Sequence, residues 1–182
     1  MKVISGSLKG RNILGYDILG TRPTMDRVKE SVFGMIQNHI YESVVLDLFA
    51  GSGNYGIEAI SNGAKIVYFN DYNKKCIKVI KDNLENFGVV DKAIVTNLDY
   101  QKALRNYSDS NTKFDLIFLD PPYNDQFIEN ILKFIDTNNL LNDNGMIICE
   151  LTMDNLNEKY GNLSLFKNRK YGEKKVFIFK RG

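Results

Sequence analysis

The stretch that decides the fold is VLDLFAGSGNYG, residues 45–56. Its first half is an apolar run broken only by Asp47, which is typical of a strand buried on both faces of a sheet. Its second half contains the pattern G-x-G-x-x-G at residues 51–56, and residues 55–61 read as a helix. Glycines between a strand and a helix let the backbone turn sharply and approach a ligand closely. We therefore predict a strand–turn–helix unit that binds a ligand.

Strand and helix patterns alternate on both sides of this unit. An amphipathic helix is expected from Thr24 or Asp26 to about residue 41, because apolar residues recur there at helical spacing. Alternating units demand a mostly parallel sheet, and residues 163–166 and 175–179 then follow as an antiparallel hairpin. Residues 3–5 and 11–14 are expected to pair as an N-terminal β-hairpin. The remaining predicted strands are 44–49, 66–69, 93–96, 114–119 and 145–151, and the remaining predicted helices are 73–87, 100–107 and 125–135.

Length and composition limit the class of protein. The chain has 182 residues, of which 43% are hydrophobic and 25% charged, as in an ordinary globular protein of one domain. It contains no apolar run of about 18 residues and begins without the apolar segment of a secretory signal, so we expect a soluble cytoplasmic protein. Cys76 and Cys149 show neither a disulfide framework nor metal-site spacing. We therefore expect no membrane partner and no metal.

The net charge of +2 conceals an uneven distribution. Residues 1–40 carry six basic and three acidic side chains, and residues 158–182 carry eight basic and two acidic ones. Residues 41–157 carry ten basic and seventeen acidic side chains. Basic ends around an acidic middle are either solvated faces or surfaces that bind a polyanion.

Carboxylates near the glycines indicate which ligand is bound. Asp71 lies 20 residues after Gly51, where a carboxylate can accept hydrogen bonds from ribose hydroxyls. Asp47 would repel a pyrophosphate but suits S-adenosylmethionine (AdoMet), which carries a sulfonium and an ammonium group. Asp99 follows the third strand and can accept from an adenine amino group, cap the next helix, or do both. The candidate cofactor residues are Asp47, Phe49, Ala50, Gly51, Ser52, Gly53, Asp71, Asn97, Leu98 and Asp99.

A second candidate site is Asp120-Pro121-Pro122-Tyr123, directly after the fourth strand. The two prolines remove two N–H donors, which leaves the Asp120 carboxylate and two carbonyl groups as acceptors. Such acceptors suit an exocyclic amine, because holding both N–H hydrogens steers the nitrogen lone pair and stabilises the developing positive charge. Tyr123 can stack on a planar base. We predict that these four residues are catalytic.

Five stretches carry a resemblance to a known family: ISGSLKGR at 4–11, TRPTMDRVKESVFGMI at 21–36, DLFAGSG at 47–53, DPPY at 120–123 and YGEKKV at 171–176. Together they resemble the RsmD family of bacterial class I AdoMet-dependent methyltransferases over essentially the whole chain. The resemblance implies an α/β, Rossmann-like fold with a seven-stranded, mostly parallel sheet, an antiparallel last strand and an N-terminal β-hairpin. It also implies methyl transfer to N2 of the guanine at position 966 of 16S rRNA, in the small ribosomal subunit or its assembly intermediate.

The resemblance further implies a division of the chain. Residues 1–24 would form the N-terminal hairpin and an RNA-binding loop, and residues 25–182 the AdoMet-dependent domain. Asn54 and Tyr55 depart from the family pattern, which favours small or apolar residues there, and Asp71 replaces a more usual Glu. The candidate RNA-binding residues are Lys9, Arg11, Arg22, Pro23, Thr24 and Arg27, with Lys2 on the same hairpin; all the basic ones can equally be solvated.

Other functions fit parts of the same pattern. The DPPY stretch also suits a DNA adenine-N6 or cytosine-N4 methyltransferase, or methylation of a protein glutamine amide. A catalytically idle RNA-binding or ribosome-assembly factor is another alternative, and the glycine pattern alone would suit an NAD-dependent dehydrogenase. His39 lies near a helix end and is interpreted as structural.

Overall fold

The computed structural model describes residues 1–15, 23–121, 127–152 and 155–182, with side chains from Asp26 onward in the second range. The strands are β1 (Val44–Asp47), β2 (Ile66–Asn70), β3 (Ala93–Thr96), β4 (Phe114–Leu119), β5 (Leu141–Leu151), β6 (Lys159–Tyr160), β7 (Leu163–Tyr171) and β8 (Lys174–Arg181). The helices are α1 (Pro23–Ile36), α2 (Asn54–Ser61), α3 (Lys74–Phe87), α4 (Tyr100–Asp109) and α5 (Ile128–Thr137), and Gln37–His39 and Val90–Lys92 form short 3-10 helices. Within these ranges, no helix is both long enough and apolar enough to cross a membrane.

All of these strands belong to one sheet, in the order β3-β2-β1-β4-β5-β8-β7-β6. Neighbours among β1 to β5 pair in parallel, whereas β8 runs antiparallel to both β5 and β7. Helices α1, α2 and α3 pack on one face of the sheet, and α4 and α5 pack on the other. The predicted α/β, Rossmann-like fold is confirmed. It brings the carboxyl ends of β1 to β4 to one edge, where ligands bind in sheets of this kind.

The structure differs from the prediction mainly at the antiparallel end of the sheet. β7 continues to Tyr171, past the predicted end at residue 166, because β8 pairs with it along its polar second half. β5 begins at Leu141 rather than at residue 145, since Leu141 pairs with Phe114 of β4. The two-residue β6 pairs with the start of β7 and adds an eighth strand to the seven expected. Each addition rests on backbone pairing, which apolar periodicity does not report.

The N-terminal residues fold back on themselves with less sheet than predicted. Lys2 and Asn12 form an isolated antiparallel bridge, and the Val3 amide donates to the Arg11 carbonyl at 3.0 Å. Val3 and Ile13 are buried in the same apolar cluster as α1, α2 and α3. The segment is therefore a loop closed by one bridge and anchored to the core by apolar side chains, where two paired strands were expected.

A buried ion pair joins α1 to α2. Lys29 Nζ lies 2.9 Å from Glu58 Oε2, and both side chains are fully buried. Glu58 also accepts hydrogen bonds from the amides of Ile4 and Ser5. Lys29 donates to Asn54 Oδ1 at 2.7 Å, and burial lowers the pKa of Lys29 despite its attraction to Glu58. The pair fixes the N-terminal loop, α1 and α2 to one another.

Glu58→Gln is expected to lower the free energy of unfolding by about 3–5 kcal/mol, because it leaves the Lys29 ammonium buried without its counter-ion. Urea denaturation at pH 7 measures the loss. The control is Lys133→Met, which removes an exposed pair with Glu129 and should cost less than about 1 kcal/mol. A loss in Glu58→Gln as small as in the control would contradict the anchoring role of the pair.

Candidate functional site

The glycine turn lies at the carboxyl end of β1, where the chain passes into α2. Gly51 and Gly53 have φ angles of 55° and 83°, a left-handed conformation that residues with side chains rarely adopt. The Gly53 amide donates to the Ala50 carbonyl at 2.7 Å, which closes the turn. Gly56 serves packing, because a Cβ there would collide with the Phe69 ring of β2. The turn therefore has bare backbone at its tip and dense packing behind it.

Asp47 ends β1 beneath this turn and is only 3% exposed. Its Oδ2 accepts a hydrogen bond from the Gly56 amide at 3.0 Å. Burial raises the pKa of Asp47 to about 7; the Gly56 bond opposes this shift, and the charges of Asp120 and Asp71 add to it. Because a nearby cation would stabilise the ionised form, the site favours a cationic ligand over an anionic one.

Asp71 follows β2 and connects two loops. Its Oδ2 accepts from the Gly51 amide and its Oδ1 from the Asn73 amide, each at 2.9 Å. Asn97, after β3, donates to the carbonyl oxygens of Asp71 and Tyr72. These bonds hold the carboxylate against the glycine turn, and each of its oxygens keeps a lone pair that can accept from a hydroxyl group.

A buried amide outside the predicted set ties three strand ends together. Asn70 Nδ2 donates to the carbonyls of Leu48 at 3.3 Å and Leu98 at 3.0 Å. Asn70 Oδ1 accepts from Thr96 Oγ1 at 2.9 Å, and the backbone carbonyl of Asn70 accepts from the Ala50 amide at 3.0 Å. The sequence contains a signal that could have identified Asn70: it is a polar residue at the end of an apolar strand, directly before Asp71.

The rim of the site consists of aromatic and acidic side chains. The Phe49 ring centroid lies 5.6 Å from that of Tyr100 and 6.0 Å from that of Phe127. Asp99 is exposed, and its Oδ1 accepts from the Gln101 amide at 2.9 Å, so its predicted role as the cap of α4 is confirmed. Of the remaining predicted cofactor residues, Ala50 and Ser52 are buried, and Leu98 is half-buried.

Asp120 directly follows β4 and belongs to a chain of polar contacts. Lys174 Nζ lies 3.5 Å from Asp120 Oδ1 and 2.5 Å from Glu150 Oε1. The Tyr55 hydroxyl donates to the other Glu150 oxygen. Pro121, next to Asp120, is buried. The predicted acceptor carboxylate is thus linked through β8 and β5 to the helix that follows the glycine turn.

The protonation states of Tyr55 and Lys174 depend on their burial and on the neighbouring carboxylates. Burial raises the pKa of Tyr55 well above its ordinary value, and the charges of Glu150 and Asp120 raise it further. Burial alone would lower the pKa of Lys174, but Asp120 and Glu150 together outweigh it and raise that pKa. Lys174 is therefore a cation, and Tyr55 a neutral donor, at neutral pH. Lys174 lies within the YGEKKV stretch and Tyr55 is a departure from the family pattern, but no local sequence pattern links either residue to Asp120.

Several predicted residues fall where the structure gives no side-chain description. Pro122 and Tyr123 of the acceptor tetrad lie outside the described residues, as does Arg22 among the predicted RNA contacts. Pro23 and Thr24 occupy the first turn of α1, but their side chains are not described. Their predicted roles remain predictions.

The remaining predicted RNA contacts have different surroundings. Lys2, Lys9 and Arg27 are exposed. The Arg11 guanidinium donates to the Asn86 carbonyl at 2.5 Å and lies 4.6 Å from the centroid of the Phe87 ring. Arg11 therefore holds the N-terminal loop against the end of α3, a structural role that the sequence did not indicate, and other guanidinium donors can still meet a phosphate.

The donor and acceptor groups at this edge fit AdoMet. Asp47 and Asp71 offer carboxylates to an ammonium or sulfonium group and to ribose hydroxyls, whereas both would repel the pyrophosphate of a dinucleotide. The bare backbone of Gly51 allows close approach of such a ligand, whereas the Cβ position of Gly53 faces core side chains of α2, β2 and α3. In the part of the chain that the structure describes, no group of three or more His, Cys, Asp or Glu side chains is placed to hold a metal ion.

Asp47→Asn is expected to stabilise the protein at pH 8. The Asp47 carboxyl titrates near 3.8 in the unfolded chain and near 7 in the folded one, so the folded state binds more protons between these values and stability falls as pH rises through them. The variant escapes this loss and should gain on the order of 2–4 kcal/mol at pH 8, with little difference at pH 4. Urea denaturation at both pH values measures the gain, with the exposed Asp109→Asn as a control expected to change little. A variant no more stable than the parent at pH 8 would contradict the buried, raised-pKa state of Asp47.

The family model described as Conserved hypothetical protein 95 matches residues 1–180. A candidate rRNA methyltransferase of Bacillus subtilis is 40% identical over 182 residues, which cover 100% of this chain and 99% of that protein. Ribosomal RNA small subunit methyltransferase D of Haemophilus influenzae is 36% identical over 158 residues, which cover 85% of this chain and 80% of that protein.

The similarity extends to solved structures. A candidate methyltransferase from Escherichia coli has a TM-score of 0.89 at 27% identity, and the match covers 100% of this chain and 97% of that one. A candidate AdoMet-dependent methyltransferase from Streptococcus mutans has a TM-score of 0.69 at 15% identity, covering 84% of this chain and 48% of that one, a likeness that shows the fold alone. By its sequence over nearly its whole length, this chain belongs to the RsmD family of rRNA methyltransferases, described as Conserved hypothetical protein 95.

Proposed function

We propose that the chain transfers a methyl group from AdoMet to the exocyclic N2 of a guanine in small-subunit rRNA, the guanine corresponding to position 966 of 16S rRNA. The observation that carries the proposal is the position of Asp120 beside the glycine turn. Asp47 of β1 pairs with Phe118 of β4, so the residues that follow these two strands emerge side by side at one edge of the sheet. A cofactor at the turn would lie next to an amine held by Asp120.

The acidic residues at the edge would hold the cofactor. AdoMet would supply a methyl group bonded to a positively charged sulfur. The amine nitrogen would form the new N–C bond as the S–C bond breaks, S-adenosylhomocysteine would leave, and the nitrogen would release one proton to solvent. Asp47, beneath the turn, would face its cationic amino-acid end, and Asp71 would accept from its ribose hydroxyls. Asp99 would accept from its adenine amino group with the oxygen that does not cap α4.

Asp120 would hold the guanine amine. A carboxylate that accepts one N–H, with the carbonyls of Pro121 and Pro122 as further acceptors, turns the nitrogen lone pair towards the methyl group and stabilises the charge that develops on nitrogen. Lys174, whose Nζ lies 3.5 Å from Asp120 Oδ1, restrains this carboxylate. Tyr123 would stack on the guanine.

The exposed basic residues near the N-terminus would hold the RNA. Residues 1–24 would contribute Lys9, Arg11 and Arg22 to phosphate binding, beside the AdoMet-dependent domain formed by residues 25–182. Arg27, Pro23 and Thr24 at the start of α1 would extend this surface. The substrate would be the small ribosomal subunit or its assembly intermediate.

Asp120→Asn should lower kcat at least about 100-fold, because the amide cannot accept the amine hydrogen as a charged acceptor does. Small ribosomal subunits from a strain that lacks this gene are incubated with the protein and tritiated AdoMet. The label in rRNA measures the rate of methyl transfer, and mass spectrometry of the nucleosides identifies N2-methylguanosine. AdoMet affinity, measured by calorimetry, should change less than about threefold, since the residue faces the acceptor.

The control is Asp109→Asn, since Asp109 is exposed at the end of α4. It should behave like the parent protein. Label in DNA or protein without label in rRNA, or full activity in Asp120→Asn, would refute the proposed reaction or the assigned role.

Affinity for AdoMet should fall as the pH is lowered through 7. The raised pKa means that Asp47 binds a proton below about pH 7, and a cationic ligand must displace that proton. The dissociation constant is expected to increase about tenfold or more between pH 7.5 and pH 5.5. Asp47→Asn should bind weakly with no such dependence, and a flat affinity in the parent protein would argue against contact between Asp47 and the cation.

A further inference from the structure

Strand β7 presents an exposed basic surface that the proposed site does not use. Lys167, Arg169 and Lys170 are exposed along its second half, and β7 contains no acidic residue. Phe166 is the extra residue of a bulge and is 57% exposed. The surface therefore combines positive charge with an exposed aromatic ring, the two features that bind phosphates and unpaired bases.

The outer edge of this strand is also accessible. β6 pairs with Leu163 and Ser164 at the start of β7, and the Leu165 amide donates to the Glu158 carbonyl just before β6. Among the described residues, the backbone of β7 beyond that pairing meets no further strand on its outer side. Backbone N–H groups at such an edge are available as additional hydrogen-bond donors to phosphate oxygens.

Contacts connect this surface with the candidate active site. Arg169 donates to Ser31 Oγ of α1 at 3.3 Å, and the Tyr171 hydroxyl bonds to the same Ser31 oxygen. Tyr171 pairs across the hairpin with Lys174, which lies 3.5 Å from Asp120. Arg27 lies one helical turn before Ser31 and is exposed. These contacts lead from Arg169 through Ser31 and Tyr171 to Lys174, which lies beside Asp120.

Two other basic residues of the C-terminal segment have structural partners. Arg181 donates to the Leu141 carbonyl at 2.8 Å, and Lys174 bonds to Glu150. The bond from Arg169 to Ser31 uses one of five guanidinium donors, so the others can meet a phosphate. Lys167 pairs with Ile178 and Arg169 with Val176 in the strand register, so their side chains lie on the same face of the sheet as α1.

We propose that Phe166, Lys167 and Arg169 of β7, together with Arg27, form a second RNA-binding surface next to Asp120. Lys167 and Arg169 would bind phosphates that flank the methylated nucleotide, and the Phe166 ring would stack on an unpaired base. The proposal rests on the proposed function for its choice of RNA as substrate. RNA is favoured over a protein partner because phosphate charge and base stacking together match basic side chains interleaved with an aromatic one.

The test is the double variant Lys167→Ala/Arg169→Ala in the full chain. Binding to a fluorescently labelled 16S rRNA fragment is measured by anisotropy over a range of salt concentrations, and methylation kinetics are measured on small subunits. We expect RNA affinity to fall about tenfold, the magnitude of the salt slope to fall by about 1.5, and KM to rise while kcat and AdoMet affinity stay unchanged. Phe166→Ala should weaken RNA binding about fivefold or more without changing the salt slope.

The control is Lys65→Ala/Lys113→Ala, which removes the same charge from exposed lysines directly before β2 and β4, at the opposite edge of the sheet. Parent-like RNA affinity and salt slope in the β7 double variant, or an equal loss in the control, would overturn the proposal. An unchanged affinity for rRNA with reduced activity on small subunits would also overturn it, in favour of a ribosomal protein at this surface. If the parent protein methylates no rRNA, the proposed function fails, and the binding comparison still decides whether β7 contacts RNA.

Discussion

Asp47 carries a carboxyl group into the interior of the sheet, where it accepts a hydrogen bond from the Gly56 amide. An apolar residue at this place would give a more stable strand, since burial opposes ionisation of the carboxyl group. The glycine turn is built around this acid: the Gly56 amide donates to it, and the Gly51 amide donates to Asp71, directly after the neighbouring strand. The glycines and the buried carboxyl group both reduce stability, and they occur where a ligand must approach backbone and charge together.

The helix after the turn is held from both of its sides. Asn54, its first residue, accepts from Lys29, which pairs with Glu58 one turn further along. Tyr55, its second residue, donates to Glu150, which pairs with Lys174. The two departures from the family pattern are therefore the points where α2 joins α1 on one side and the antiparallel end of the sheet on the other. Contacts on both sides of α2 therefore restrict the shape of the turn before a ligand binds.

The sequence predicts the strands of the parallel half of the sheet well and those of the antiparallel half only in part. The bounds of β3 and β4 coincide with their apolar runs, because both strands are flanked by clear turns. The polar second half of β7 was missed, since an exposed strand needs a partner and not an apolar pattern. At the site, Asp47 and Asp71 stand at the predicted edge because strand ends and glycines are local signals. Pairs such as Lys29 with Glu58 are distant in sequence and become visible only in the folded chain.

The contacts among Tyr55, Glu150, Lys174 and Asp120 have a consequence for how protons are bound. The carboxylates act on the pKa values of their neighbours. Asp120 and Glu150 raise the pKa of both Lys174 and Tyr55, and Asp120 adds to the raised pKa of Asp47. Because the charge of Asp120 contributes to the raised pKa of Asp47, a positive charge that develops beside Asp120 favours ionisation of the carboxyl group beneath the glycine turn.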